Sequence, residues 1–317
     1  MKNKNKILIA GGAGYIGGYL TDILKEDYQV TVYDNLMYEK KYLKDIHFVN
    51  GDIRDKKKIK KVVDENDVII WLAAIVGDGA CSVDTKLTEE INEHSVKWLV
   101  DHCDRNKKII FMSTCSIYGI NDGVLKEETE PNPLSTYAKT KLSSEQYIVD
   151  NFPNHLVFRL GTLFGIGDCF SRPRLDLVVN ILTKRATEKL PLHVFGGEQW
   201  RPLMHVKDVG HAIKKALEEK IVGLYNVSMN NYRMRDLAIE IAKIIPNTEI
   251  EYQDIPSEDF RNYKVNNQKF LSVCSWRPSL ALEFGIREIQ TLISENRIID
   301  PEDFTYSNAK YTRHKYV

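Results

Sequence analysis

The sequence predicts an α/β fold, a doubly wound parallel sheet followed by a smaller lobe. Three observations predict it. Short β-branched runs alternate with amphipathic segments through the first half, the pattern of strands and crossover helices. The runs are apolar throughout rather than at every second residue, as in strands buried on both faces. A glycine cluster closes the first run, where a strand must turn into a helix. With 317 residues, 43% hydrophobic and 28% charged, the chain is long enough for about two such units and has the apolar content for a full core.

Taken in order, Lys6 to Ala10 is a short apolar run that stops at the glycines: a buried strand. Tyr15 to Lys25 carries Ile16, Leu20, Ile23 and Leu24 at helical spacing. Gln29 to Tyr33 is a second β-branched run, ending at Asp34. Ile46 to Asn50, Val68 to Ala73, Lys108 to Ser113 and His155 to Leu160 are further strands, with amphipathic segments Glu89 to Asp104 and Tyr137 to Asn151 between them. In the second half Arg172 to Arg185 and Arg235 to Ile245 read as helices. Pro173, Pro191, Pro202, Pro246, Pro256 and Pro278 break what lies between. From Pro301 the chain is polar and aromatic without period, and no regular structure is expected.

Composition excludes several classes of function. Lys plus Arg and Asp plus Glu both number 44, so there is no global pull toward nucleic acid or an anionic membrane. The longest apolar run, Val68 to Val76, has nine residues, far short of the ~20 that span a bilayer. The basic start, Met1 to Lys6, is followed by Gly11, Gly12 and Gly14 rather than a clean apolar core, so a cytoplasmic protein is expected. Five cysteines, odd in number and never spaced CxxC, fit reduced thiols and no zinc site.

Gly11, Gly14 and Gly17 form GxxGxxG around Tyr15 and Ile16, between the first strand and the first helix. Glycines there permit a tight turn and close approach of the backbone to a pyrophosphate, which the helix N-terminus favours. The context the motif requires is met, since Asp34 ends the second strand 17 residues past Gly17. A carboxylate there accepts hydrogen bonds from the adenosine ribose and repels a 2′-phosphate. Asn35, Leu36 and Met37 follow it with no compensating cation, which argues for NAD over NADP; the bland alternative is an acid capping a strand. Asp52, in Gly51-Asp52-Ile53, is placed to touch the adenine edge, or is simply a surface turn acid.

Tyr137 and Lys141 form YxxxK, on one face of a helix. A nearby ammonium and a positive nicotinamide both favour phenolate, lowering the tyrosine pKa toward neutrality. Such a tyrosine removes a hydroxyl proton while hydride leaves the same carbon. Thr114, in Ser113-Thr114-Cys115-Ser116, follows the fifth strand, at the end that faces the ligand crevice. A solvated helix Tyr and Lys is the alternative.

With these residues in hand, the sequence resembles the extended short-chain dehydrogenase/reductase family that acts on nucleotide-diphosphate sugars. The matching segments run from Gly11 to about Pro278: GGAGYIG, YDNL, GDIRD, LAA, STCSIYG, YAKTK, RLGTLFG and RPLMHVKDV. The resemblance implies a Rossmann domain over residues 1–165, to which 204–229 returns, and a nucleotide-sugar-binding lobe from 166–203 and 230–317. It implies catalysis by Thr114, Tyr137 and Lys141. It implies an NAD site of Gly11, Gly14, Tyr15, Ile16, Gly17, Asp34, Asn35, Asp52, Ile53, Leu72, Ala73, Ala74 and Ser113, with Tyr137 and Lys141. It also implies a homodimer through the helices near Glu89 to Asp104 and Tyr137 to Asn151.

Within the family, 4,6-dehydratases carry Asp-Glu after the catalytic Thr, where this chain has Cys115 and Ser116. Neither shuttles protons as a carboxyl pair does, and Cys115 reads as a packed thiol. The 3,5-epimerases place a cysteine in the slot of Ser116. Redox at one carbinol, usually C4, remains. The loop Ala73 to Cys81, with Asp78, and Thr162 where epimerases commonly have Asn, resemble a subgroup that includes GDP-heptose 4-dehydrogenases of surface-polysaccharide pathways. By resemblance, Arg201 pairs the substrate diphosphate, as a guanidinium fork suits, unless it is a structural ion pair. Asn180 and Arg174 lie near the same diphosphate, and Arg261 near the ribose and phosphates. His205 is expected to pack. No residue encodes the nucleotide base.

The expectation is therefore an NAD-dependent nucleotide-sugar C4 oxidoreductase, preferably a 4-dehydrogenase acting on a GDP-linked heptose or manno-configured sugar. A UDP-sugar 4-epimerase is the alternative within the class, and a non-catalytic NAD-binding redox sensor the alternative outside it.

Overall fold

The computed structural model describes residues 5–254 and 261–316; Pro256, one of the expected breaks, lies outside them. Strand β1 (Lys6–Ala10) enters the glycine turn and helix α1 (Tyr15–Leu24), followed by β2 (Gln29–Asp34), β3 (His47–Asn50), α2 (Lys56–Asp64) and β4 (Val68–Trp71). Short helices α3 (Asp78–Cys81) and α4 (Thr85–Glu89), a π-helical turn Glu90–His94 and α5 (Ser95–His102) lead to β5 (Lys108–Thr114). After a 3₁₀ turn Cys115–Tyr118 come β6 (Ile120–Leu125), α6 (Thr136–Asn151), β7 (His155–Leu160) and β8 (Thr162–Phe164). The remainder is α7 (Val178–Thr187), β9 (Leu192–Phe195), β10 (Trp200–His205), α8 (Val206–Glu218), β11 (Gly223–Val227), β12 (Asn230–Arg233), α9 (Met234–Ile244) and β13 (Ile250–Gln253). Last are β14 (Asn262–Val265), α10 (Gln268–Val273), α11 (Leu282–Ser294), a 3₁₀ turn Phe304–Tyr306 and α12 (Asn308–Tyr316).

Seven strands form one parallel sheet in the order β11-β7-β5-β4-β1-β2-β3. The order reverses between β1 and β4, and the crevice at such a switch point takes ligands beyond the C-terminal strand ends. Period-two alternation explains the continuous apolar runs. Ile7 and Ile9 of β1 pack into one core with Leu20 and Leu24 of α1 and Val209 and Ile213 of α8. Leu8 and Ala10 face the other core, with Ile59, Leu99, Ile148 and Phe152 from the helices opposite. The smaller lobe has its own core, in which Val179 and Leu182 of α7 meet Leu237 and Ile241 of α9 and Ile286 of α11. Strands β12, β10 and β8 pair beside it.

Three segments depart from expectation. The helix expected from Arg172 starts only at Val178; Pro173 and the turn after it keep 172–177 irregular. The helix expected over Glu89 to Asp104 is interrupted by the π-helical turn, where the Asn92 side chain bonds both backbone groups of Ile75, at 2.8 Å each. The stretch from Pro301, expected to be irregular, carries a 3₁₀ turn and helix α12. Among the described residues no helix is long and apolar enough to cross a membrane, and no cluster of potential metal ligands occurs. All five cysteines are free, with only Cys169 exposed.

Candidate active site

The glycine turn is built by exclusion. Gly11 has φ +82°, and a Cβ on it would lie 2.5 Å from the Ala73 nitrogen. A Cβ on Gly17 would lie 2.5 Å from Gly12, whereas one on Gly14 would meet nothing closer than the Gly11 carbonyl at 3.4 Å. Gly11 and Gly17 are thus fixed by packing, and the Gly14 face is left open. Asp34 locks the turn to the end of β2, accepting from Ala13 N (3.1 Å) and Leu36 N (2.8 Å). Burial pushes its carboxyl pKa up, opposed by these backbone donors and that of Asn35.

These residues line one cleft of about 320 Å³ with Leu72 to Ala74, Asn35, Asp52, Ile53 and Ser113. Asp52 sits at its rim, held below the usual carboxylate range chiefly by Arg54, 2.8 Å away. The Ser113 hydroxyl is buried in the wall with no partner among the described residues. A glycine cradle open at Gly14, a carboxylate with ribose-accepting capacity and an orphan hydroxyl fit a dinucleotide.

Deeper in the same cleft are Thr114, Tyr137 and Lys141. Thr114 ends β5, and its hydroxyl accepts from Ser116 N (3.1 Å). Tyr137 stands in the first turn of α6, whose N-cap Ser135 accepts from Ala138 N (3.2 Å) and donates to Asp78 (2.6 Å). Lys141, one turn on, lies over the Phe111 ring, its ammonium 4.0 Å from the centroid.

In the cofactor-free cleft, burial works against the expected lowering of the phenol by the ammonium. Burial pushes Tyr137 up; Cys81 and Asp78 add to this, and Thr114 and Arg174 oppose it. Burial also presses Lys141 down to about 7, against Cys81 and Glu145. Both groups have left water, so each favours its neutral form.

The catalytic helix is anchored from behind. Glu145, four residues past Lys141, takes the Arg159 guanidinium at 3.0 and 2.6 Å, and Arg159 donates onward to the Tyr118 hydroxyl (2.7 Å). Sequence reasoning missed this pair, although Glu145 falls one helical turn beyond the YxxxK motif. Cys115 is buried with its thiol on the Arg159 carbonyl (3.2 Å) and its pKa raised by burial, consistent with a packed thiol. The Ser116 hydroxyl lies 3.2 Å from that of Tyr263.

Thr162, Asp78, Arg174 and Arg261 line the same cleft. Asp78 pairs with Arg261 at 2.7 Å, and Arg174 with Asp176 at 2.6 Å. Two expected contacts are not brought to the cleft. Asn180 is fully buried one layer behind, accepting from Gly165 N (2.9 Å) and donating to the Arg174 carbonyl (2.8 Å). The Arg201 guanidinium bonds the carbonyls of Trp200 and Arg261. Each holds the backbone of a residue that does line the cleft. His205 is fully buried against Glu288 (2.8 Å) and caps α8. Tyr38, Arg172 and Asn308 also line the cleft and carried no motif that singled them out.

Comparison with known proteins agrees with this geometry. Residues 7–228 match the model of the NAD dependent epimerase/dehydratase family. A probable UDP-arabinose 4-epimerase of Arabidopsis thaliana is 27% identical over 85% of this chain and 76% of its own. A UDP-glucose 4-epimerase of Rhizobium meliloti is 26% identical over 89% and 94%. Among solved structures, the Thermus thermophilus UDP-glucose 4-epimerase in complex with NAD superposes with a TM-score of 0.78, at 25% identity, over 91% of this chain and 99% of that one.

Proposed function

The chain belongs to the NAD dependent epimerase/dehydratase family, and within it we propose an NAD-dependent C4 oxidoreductase of nucleotide sugars, by preference a 4-dehydrogenase of a GDP-linked heptose or manno-configured sugar. The observation that carries this reading is the convergence of Thr114, Tyr137 and Lys141 with the glycine turn in one cleft that Thr162, Asp78 and Arg261 also line. When bound, NAD supplies the hydride acceptor. Tyr137 takes the proton of the C4 hydroxyl, and Thr114 holds the C4 oxygen by a hydrogen bond. Because burial favours the neutral phenol, Tyr137 works as a base only when positive charge gathers beside it, which is the role of a protonated Lys141. The lobe formed by 166–203 and 230–317 takes the nucleotide sugar, Asp78 and Thr162 the sugar, Arg174 and Arg261 the phosphates.

Dehydration is disfavoured because Cys115 is sealed in the core and Ser116 carries no carboxyl. Net oxidation rather than epimerisation is favoured by the loop at Gly77 to Cys81 and by Thr162 where epimerases commonly have Asn, a sugar site shaped differently from theirs. The names of the relatives favour the second reading, a UDP-sugar 4-epimerase. We take the working form to be a cytoplasmic homodimer joined through α5 and α6.

Incubating the enzyme with NAD, a keto-acid oxidant and a panel of GDP- and UDP-sugars in deuterium oxide tests the proposal. A 4-keto sugar, seen by mass spectrometry with deuterium beside the carbonyl, is expected from a GDP-linked substrate. Interconversion of C4 epimers with no ketone released would leave the epimerase.

A further inference from the structure

The segment from Pro301, which shows no apolar period, packs over the same cleft as the glycine turn. It is stitched to residues 172–177. Arg172 donates to the Thr305 carbonyl and to the Asn308 side chain. Leu175 N donates to the Tyr306 carbonyl (3.0 Å), and Asn308 N to Asp176 (2.9 Å). From the same residue, the Asn308 amide reaches across to the Val76 carbonyl (2.8 Å), beyond β4. One side chain therefore ties the loop after β4 to the lobe.

This seam fixes two guanidiniums. Asp176 holds Arg174 through two nitrogens, at 2.6 and 3.1 Å. The Arg172 guanidinium lies over Tyr38, 4.2 Å from its ring centroid, and the Arg172 backbone N–H donates to Glu39 (2.7 Å). Tyr38 and Glu39 follow the β2 end that carries Asp34, so Arg172 stands on the dinucleotide side of the cleft rather than among the sugar-side residues. Like charges side by side out of water repel, and Arg172 is held down to about 10 by burial first and by Arg174 second. An anion between them relieves both costs.

We propose that Arg172 and Arg174 clamp the cofactor's pyrophosphate from the side opposite the glycine turn, with Asn308 as the positioning residue that holds the clamp closed. The inference rests on the NAD reading above and moves Arg174 from the substrate's phosphates to the cofactor's. A forked donor pair suits a pyrophosphate, and a helix N-terminus at α1 supplies the other face.

The test titrates NADH into the 317-residue chain by fluorescence, for wild type, Arg172→Ala and Asn308→Ser. Whichever of GDP or UDP the wild type binds is then titrated calorimetrically into the NADH-saturated protein. The NADH Kd is expected to rise about 30-fold in Arg172→Ala and about tenfold in Asn308→Ser, with the nucleoside-diphosphate Kd within twofold of wild type. An NADH Kd within twofold of wild type in Asn308→Ser, which removes only a small amide and so keeps the test sound if Arg172→Ala fails to fold, overturns the clamp. So does a loss of nucleoside-diphosphate affinity in place of NADH affinity. A wild type that does not bind NADH at all would overturn the cofactor reading itself.

Discussion

The glycine turn after β1 and the seam between 172–177 and 301–316 line the same cleft, yet they are built in opposite ways. The turn is local: Gly11, Gly14 and Gly17 lie within one strand-to-helix junction, Gly11 and Gly17 dictated by what a Cβ would strike and Gly14 left open. The seam is non-local, joining residues about 130 positions apart through hydrogen bonds of Arg172, Asp176 and Asn308. A local device announces itself as a motif, whereas a non-local one is written in ordinary polar residues that mean nothing until the chain has folded.

The largest effect expected concerns the chemistry that the local half carries. Tyr137→Phe should lower turnover by about 10²-fold or more, the scale for losing a general base. An unchanged rate would remove the enzyme reading and restore the redox sensor.

Next in size is a test of how tightly the turn is built. Gly11→Ala should cost about 3 kcal/mol in denaturant unfolding, from its positive φ and from backbone packed against Ala73. Gly123 has a similar φ of +76° but nothing within 4 Å, so Gly123→Ala should cost only about 1 kcal/mol. Equal costs would mean that strain, not packing, rules both.

Lys141 gives a pH signature. Its folded pKa, about 7, lies below the ordinary lysine value of 10.5, so the unfolded chain binds the extra proton between these limits. Stability must then rise with pH across that window. Relative to Lys141→Met, the cofactor-free wild type should gain about 2 kcal/mol between pH 7 and 9. A flat difference would show that Lys141 is not desolvated.

The smallest effect belongs to the ribose acid. Asp34→Ala should weaken NADH binding about tenfold through lost hydrogen bonds to a charged group, and should narrow the preference for NADH over NADPH. Wild type binding both equally would contradict the role given to Asp34.

The sheet, the glycine turn, Asp34 and the Thr114, Tyr137 and Lys141 set were legible because each depends on neighbours in sequence or on a strand end. Asn180 and Arg201 were aimed at the ligand because their segments adjoin the cleft, but a segment's place does not say which way one side chain turns. Both face backward, onto the carbonyls of Arg174 and Arg261. The helix expected from Arg172 begins only at Val178, because Pro173 lies inside its first turns and 172–177 stay irregular. Helix α12 was invisible because its buried residues, Asn308 and Thr312, are polar. Amphipathic period reports burial only where burial is apolar.

The account turns on hydride leaving C4 with Tyr137 as base. Its most direct test is a single turnover of a nucleotide sugar deuterated at C4 with NAD-loaded enzyme, read by mass spectrometry of both dinucleotide and sugar. The prediction is deuterium in the dinucleotide, in equal amount to a 4-keto sugar that has lost it, with neither product formed by Tyr137→Phe at a comparable rate. Deuterium retained at C4 of an unoxidised or inverted sugar, with no labelled dinucleotide and no ketone, would contradict it.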